Sequence, residues 1–178
     1  IALKIPKPKQ SKGVSEMSET VFNAFEALRI ALEMEKDGEA FYKSVAETVH
    51  DGQIKNLMLS LAKEEEEHAR RFEEMIETEN FDNAWCADDV QLLNSYIEAT
   101  IKRDIFPKKE EAPEIADTMD SLDKAFLYAI ENEKKTVEFY EKLHSSCQYE
   151  TGKQAFAQMI EEEKRHAVQL EEIRQTLK

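Results

Sequence analysis

A glutamate and a histidine three residues apart on a helix present a carboxylate and an imidazole on one face. Together they make a chelating pair suited to a transition metal. The sequence contains this spacing four times, at Glu47/His50, Glu65/His68, Glu141/His144 and Glu163/His166. In a chain with 38 acidic residues the spacing alone carries no weight. Register separates the four. Glu65/His68 and Glu163/His166 stand 98 residues apart, and the same shift lays ALEMEKDGEAFYK, residues 31–43, over AIENEKKTVEFYE, residues 129–141. It thereby pairs Glu35 with Glu133 and Tyr42 with Tyr140. Glu47/His50 and Glu141/His144 are 94 residues apart and fall near expected helix ends, so they read as surface or cap histidines.

Two matched segments per half, in one register without a gap, indicate a duplicated helical hairpin. Only four Gly and four Pro in 178 residues, 35% of them charged, favour long helices. The pattern predicts helices at about 18–49, 52–79, 121–146 and 152–177, with Ser18, Asp51 and Thr151 as N-caps and the third helix starting near Asp120 or Ser121. Short turns after the first and third helices make each hairpin antiparallel. The crossover, residues 80–120, is too long to be structureless. Residues 88–106 have the composition of an extra helix ended by Pro107, and KKEEAPEIADT after it reads as an exposed connection. The expected fold is all-α: a ferritin-like four-helix bundle of two antiparallel hairpins over residues 18–178. Residues 1–17 form an extended arm, with Lys4, Lys7, Lys9 and Lys12 around Pro6 and Pro8.

Apolar stripes run along all four helices: Phe25, Leu28, Leu32, Tyr42 and Val49; Ile54, Leu57, Leu61, Phe72 and Met75; Phe126, Ile130, Val137, Tyr140 and Leu143; Phe156, Met159, Ile160, Leu170 and Ile173. Glu35, Glu65 with His68, Glu133, and Glu163 with His166 interrupt them. Each lies about 15 to 18 residues from its hairpin turn, which is roughly 22 to 27 Å along the axis, so the six converge on one level. Four carboxylates in a core repel one another and lose hydration unless cations compensate. Two metal ions supply that charge, and carboxylate with imidazole suits iron or manganese, with zinc as a substitute. The bland alternative is a bundle with buried ion pairs and no metal. Glu64, Glu66, Glu67, Glu161 and Glu162 read as a solvated face. Tyr42 and Tyr140 are either core aromatics or hydroxyls that hold a ligand carboxylate. Glu39, whose repeat partner is Val137, can face inward and is left out of the ligand set.

The net charge of −14 argues against a nucleic-acid surface. No apolar stretch approaches the roughly 20 residues of a membrane span, and no hydrophobic signal core stands at the N-terminus. Cys86 and Cys147 form no C-x-x-C, which excludes a rubredoxin-type knot and points to reduced thiols in a cytoplasmic protein.

EKDGEAFY, EEEEHA, EKKTVEFY and EEEKRHA resemble the rubrerythrin family of ferritin-like di-iron proteins, over roughly residues 18–178. The constellation of one Glu from each of two helices and Glu-x-x-His from each of the others is the ferritin-like di-iron pattern. The resemblance implies two iron ions held by Glu35, Glu65, His68, Glu133, Glu163 and His166, with Glu65 and Glu163 bridging. It implies reduction of hydrogen peroxide, or of dioxygen, with electrons from a separate rubredoxin-like protein, and a homodimer. Relatives act as ferroxidases for iron detoxification or storage, the second reading. A non-catalytic helical module that binds metal structurally, or a partner protein, is the alternative of another class. Typical rubrerythrins carry a further Glu three residues after the one at Glu133; here that position is Thr136.

Overall fold

The computed structural model describes residues 24–78, 105–147 and 150–177. The N-terminal arm, Ser18, Cys86 and most of the extra helix expected at 88–106 lie outside them. The described residues form α1 (Ala24–Thr48), α2 (Gly52–Thr78), the short α3 (Ala112–Thr118), α4 (Leu122–Ser146) and α5 (Glu150–Thr176). The Asp51 carboxylate accepts hydrogen bonds from the amides of Gln53 at 2.8 Å and Ile54 at 3.0 Å, capping α2 as expected. Ser121 does the same for α4, from the amide of Lys124 at 3.3 Å. Thr151 does not cap α5, because that helix already begins at Glu150 and Thr151 lies inside its first turn.

α1 packs along α2 and α4 along α5, and the two hairpins close on each other through α1 against α5 and α2 against α4. The result is the expected all-α four-helix bundle. No helix of the described residues is long and apolar enough to cross a membrane. Two expectations fail. The supposed exposed connection is a 3-10 turn (Lys109–Glu111) followed by α3, with Pro113 in its first turn. Its Ala112 and Ala116, one turn apart, are buried, as is Met119, and α3 packs on α1. Acidic neighbours had masked that narrow alanine stripe. Ile173, expected in the core, is 49% exposed, because the stripe of α5 ends in the core at Leu170.

Two aromatic layers fill the bundle around its middle. Phe41, Tyr42, Phe106 and Tyr128 make one, with ring centroids of Tyr42 and Phe106 5.6 Å apart and edge-on. Phe72, Tyr140 and Phe156 make the other. Gly38 lets the first layer close. A Cβ there would lie 2.8 Å from Phe106 Cζ and 3.1 Å from Glu65 Cδ. Phe106 therefore rests directly on the α1 backbone.

Candidate metal centre

The level between the aromatic layers holds the charged groups. Glu35, Glu65, His68, Glu133 and Glu163 are all buried, at most 6% exposed. The His166 side chain, 21% exposed, is nearer the surface. Glu163 stands between the two imidazoles. Its Oε1 is 3.0 Å from His68 Nδ1, and its Oε2 is 3.2 Å from His166 Nδ1. The two rings stack nearly parallel, at 3°, with centroids 5.5 Å apart. Glu35 Oε2 approaches His68 Nδ1 to 3.6 Å. Donor atoms fall into three sets whose members lie within 4.8 Å of one another: Glu35, Glu65 and His68; His68, Glu163 and His166; Glu64, Glu133 and His166. The structure thus brings all six expected residues together. Glu163 stands midway between the imidazoles, whereas Glu65 groups with Glu35 and His68.

Burial governs the protons. It pushes the Glu35 carboxyl up to about 8, a hydrogen bond with Glu65 offsetting part of the rise. Burial, and then the charge of Glu35, holds Glu65 well above the usual carboxylate range. Burial and then Glu163 do the same to Glu133. At Glu163 burial again favours the neutral form, but His166 and His68 outweigh it and hold this carboxyl well below its usual range. His68 is raised, since contact with Glu163 overcomes the effect of burial. Burial thus favours the protonated form at Glu35, Glu65 and Glu133, whereas the two imidazoles favour the ionised form at Glu163.

Four buried atoms make no hydrogen bond: Glu35 Oε2, Glu65 Oε2, His68 Nδ1 and Glu163 Oε1. His68 Nδ1 and Glu163 Oε1 are 3.0 Å apart, yet their angles do not make a bond. Orphaned buried polar atoms are costly, at about 1–3 kcal/mol each and more when charged. Four in one cluster, all of metal-ligating type, fit a site for cations. The donor set suits a pair of hard or borderline ions such as iron or manganese.

The two repeat-related tyrosines behave differently. The Tyr140 hydroxyl donates to Glu35 Oε1, leaving Oε2 as the unpartnered oxygen. Tyr42, in the equivalent place, instead accepts from the Asn132 amide at 3.4 Å. Asn132 is buried, and its repeat partner is Met34, which has no amide to offer.

Glu64 and Glu162 are corrections to the solvated-face reading. Glu64 Oε2 is 4.0 Å from His166 Nδ1. Glu162 is only 14% exposed, pairs with Arg71 at 2.6 Å and stands 3.8 Å from His68 Nε2. The available signal was their place directly before the Glu of each repeated pair. Glu66, Glu67 and Glu161 are exposed, as expected. Glu39 pairs with Lys43 and belongs to none of the donor sets. Glu47 and His50 are exposed, and Glu141 pairs with Lys164 at 3.4 Å.

A protein-family model described as Rubrerythrin matches residues 26–174. No curated protein and no solved structure matches the chain.

Proposed function

The chain belongs to the rubrerythrin family, and on that premise we propose that it is a di-iron oxidoreductase that reduces hydrogen peroxide to water. The observation that carries this reading is the set of four unpartnered buried atoms on Glu35, Glu65, His68 and Glu163. Glu35, Glu65, His68, Glu133, Glu163 and His166 would hold the ions, with His68 and His166 using Nδ1. Bound there, two ferrous ions would supply the two electrons that, with two protons, convert one peroxide to two waters.

The chain's own residues prepare that chemistry. Tyr140 holds Glu35 by Oε1 and turns its Oε2 into the cluster. Arg71 fixes Glu162 behind His68 Nε2, which keeps Nδ1 directed at Glu35 and Glu163. The aromatic layers exclude water on two sides, so a small oxidant enters where exposure remains, beside His166 and Glu64. Electrons would return from a rubredoxin-like donor, as the likeness to the family implies; Cys86 and Cys147 are too few to form a four-thiolate iron centre themselves.

Anaerobic loading with Fe(II), followed by one equivalent of peroxide, tests the reading. The expected result is two bound irons and rapid near-ultraviolet absorption of oxidised iron, lost in Glu65→Ala. No bound iron and no spectral change would sink it. Oxidation faster with air than with peroxide would move the assignment to a ferroxidase.

A further inference from the structure

The 98-residue repeat makes Glu64 and Glu162 equivalent, each before the Glu of one pair and beside the imidazole of the other. Their surroundings are not equivalent. Glu162 is pinned: Oε2 meets Arg71 Nη1 at 2.6 Å, and Oε1 accepts from Gln158 at 3.0 Å. It also stands behind its imidazole, at His68 Nε2, whereas Nδ1 of that ring faces Glu35 and Glu163. The residue equivalent to Arg71 is Gln169, which has no charge. Among the described residues Glu64 has no pinning cation, and its one ion-pair neighbour is His166.

The decisive difference is which nitrogen each carboxylate meets. Glu64 lies 4.0 Å from His166 Nδ1, the same atom that faces Glu163 Oε2 at 3.2 Å. It is on the inner side of its ring, where Glu162 is on the outer side of its own. One oxygen each of Glu64 and Glu133 and one nitrogen of His166 lie within 4.8 Å of one another. A single ion with ligand distances of about 2.0–2.2 Å spans such a set after a small side-chain adjustment. Glu163 presents Oε2 to that same nitrogen at 3.2 Å, while its other oxygen, Oε1, faces His68 Nδ1 at 3.0 Å. On α4, Thr136, one turn beyond Glu133, is buried and uncharged. The Glu64 side chain is 42% exposed, and among the described residues turning it inward breaks no ion pair other than its approach to His166.

Resting on the di-metal reading above, we propose that Glu64 is an additional carboxylate ligand to the ion on the His166 side, so that the two ions have unequal donor sets. The ion on the His68 side is enclosed by buried donors. The other is closed by a carboxylate that reaches solvent and can be displaced from the ion by an incoming oxidant.

Co(II) titration of the metal-free full chain tests this, read by the visible absorption of the bound ion as the number of equivalents and the dissociation constant of each. The wild type binds two. Glu64→Gln, a change at a part-exposed position, weakens one equivalent at least about tenfold and leaves the other within about twofold. In a crystal of the Co(II)-loaded wild type, a Glu64 oxygen lies within bonding distance of the ion that His166 holds. Two equivalents with unchanged constants in Glu64→Gln, or a loaded crystal with Glu64 turned away from the ion, overturn the inference and leave the di-metal reading standing. A wild type that binds no Co(II) overturns both.

Discussion

Tyr140→Phe removes one hydroxyl and asks whether the contact to Glu35 serves metal binding or only folding. The contact changes character with loading. Without metal, burial pushes Glu35 up to about 8, so at pH 7 its protonated form is favoured and the bond is between neutral groups. Such a bond contributes about 1 kcal/mol. A bound ion requires Glu35 ionised, and a hydrogen bond to a charged group contributes about 1.5–3 kcal/mol. The variant therefore loses about 0.5–2 kcal/mol more in the loaded protein than in the metal-free one, roughly a 2- to 30-fold loss of metal affinity. Competitive titration with Co(II) against a chromophoric chelator measures it, alongside thermal melts of both forms. The repeat supplies an internal control. Tyr42→Phe removes the equivalent hydroxyl, whose hydrogen-bond partner among the described residues is Asn132, at 3.4 Å, and changes affinity less than about twofold. Equal losses from the two variants would refute the argument. So would a Tyr140→Phe protein whose metal-free melting temperature falls while its affinity stays unchanged.

Three further outcomes follow from single features. Gly38→Ala puts a Cβ 2.8 and 2.9 Å from the Phe106 ring; overpacking of about 1–3 kcal/mol exceeds the helix-propensity gain of about 1 kcal/mol, so urea denaturation shows a net loss near 1 kcal/mol, recovered in part by Phe106→Leu. For Glu35, raised from 4.5 to about 8, the stabilisation of the metal-free fold is full below the lower value and is lost as pH rises through the upper one. Glu65 and Glu133 shift in the same direction. Metal-free protein therefore melts lower at pH 8.5 than at pH 6 at constant ionic strength, while metal affinity rises across that window as protons leave; a metal-free melting temperature that rises instead contradicts the assignment. Asp51→Ala removes both cap bonds of α2 and costs about 1 kcal/mol by urea denaturation, with Co(II) affinity unchanged.

The bundle was legible because its signals are local and periodic. Asp51 and Ser121 announce their helices by residue type and position, and the apolar stripes fall silent where the six charged residues enter. α3 was not legible. A stripe of Ala112 and Ala116 is too small to register as hydrophobic beside Glu110, Glu111 and Glu114, although it suffices to dock on α1. Ile173 shows the opposite error, since an apolar residue continuing a stripe has no core to enter once its helix runs past the bundle's packed middle. Within the site, the repeat identified which glutamates to examine but not which way their neighbours turn. Whether Tyr42 meets Glu133 or Asn132 depends on one amide, and periodicity carries no information about hydrogen-bond direction.

The repeat and its exceptions together bear on how the centre works. A duplicated hairpin places equivalent ligands at equal depth, so the donor residues Glu35, Glu65 and His68 have their match in Glu133, Glu163 and His166. Several residues around them do not match. Met34 faces Asn132 in the alignment, Gly38 faces Thr136, Glu39 faces Val137, and Arg71 faces Gln169. Gly38 admits Phe106 against Glu65, Asn132 diverts Tyr42, and Arg71 pins Glu162 while Glu64 is left to approach His166. These four departures lie within about one turn of a residue of the cluster, although the repeat also departs far from it, as at Leu59 against Ala157 and Ile76 against Arg174. Under the di-metal proposal, an ion held beside buried His68 would be retained more tightly than one beside part-exposed His166, because solvent reaches only the second imidazole's side of the cluster.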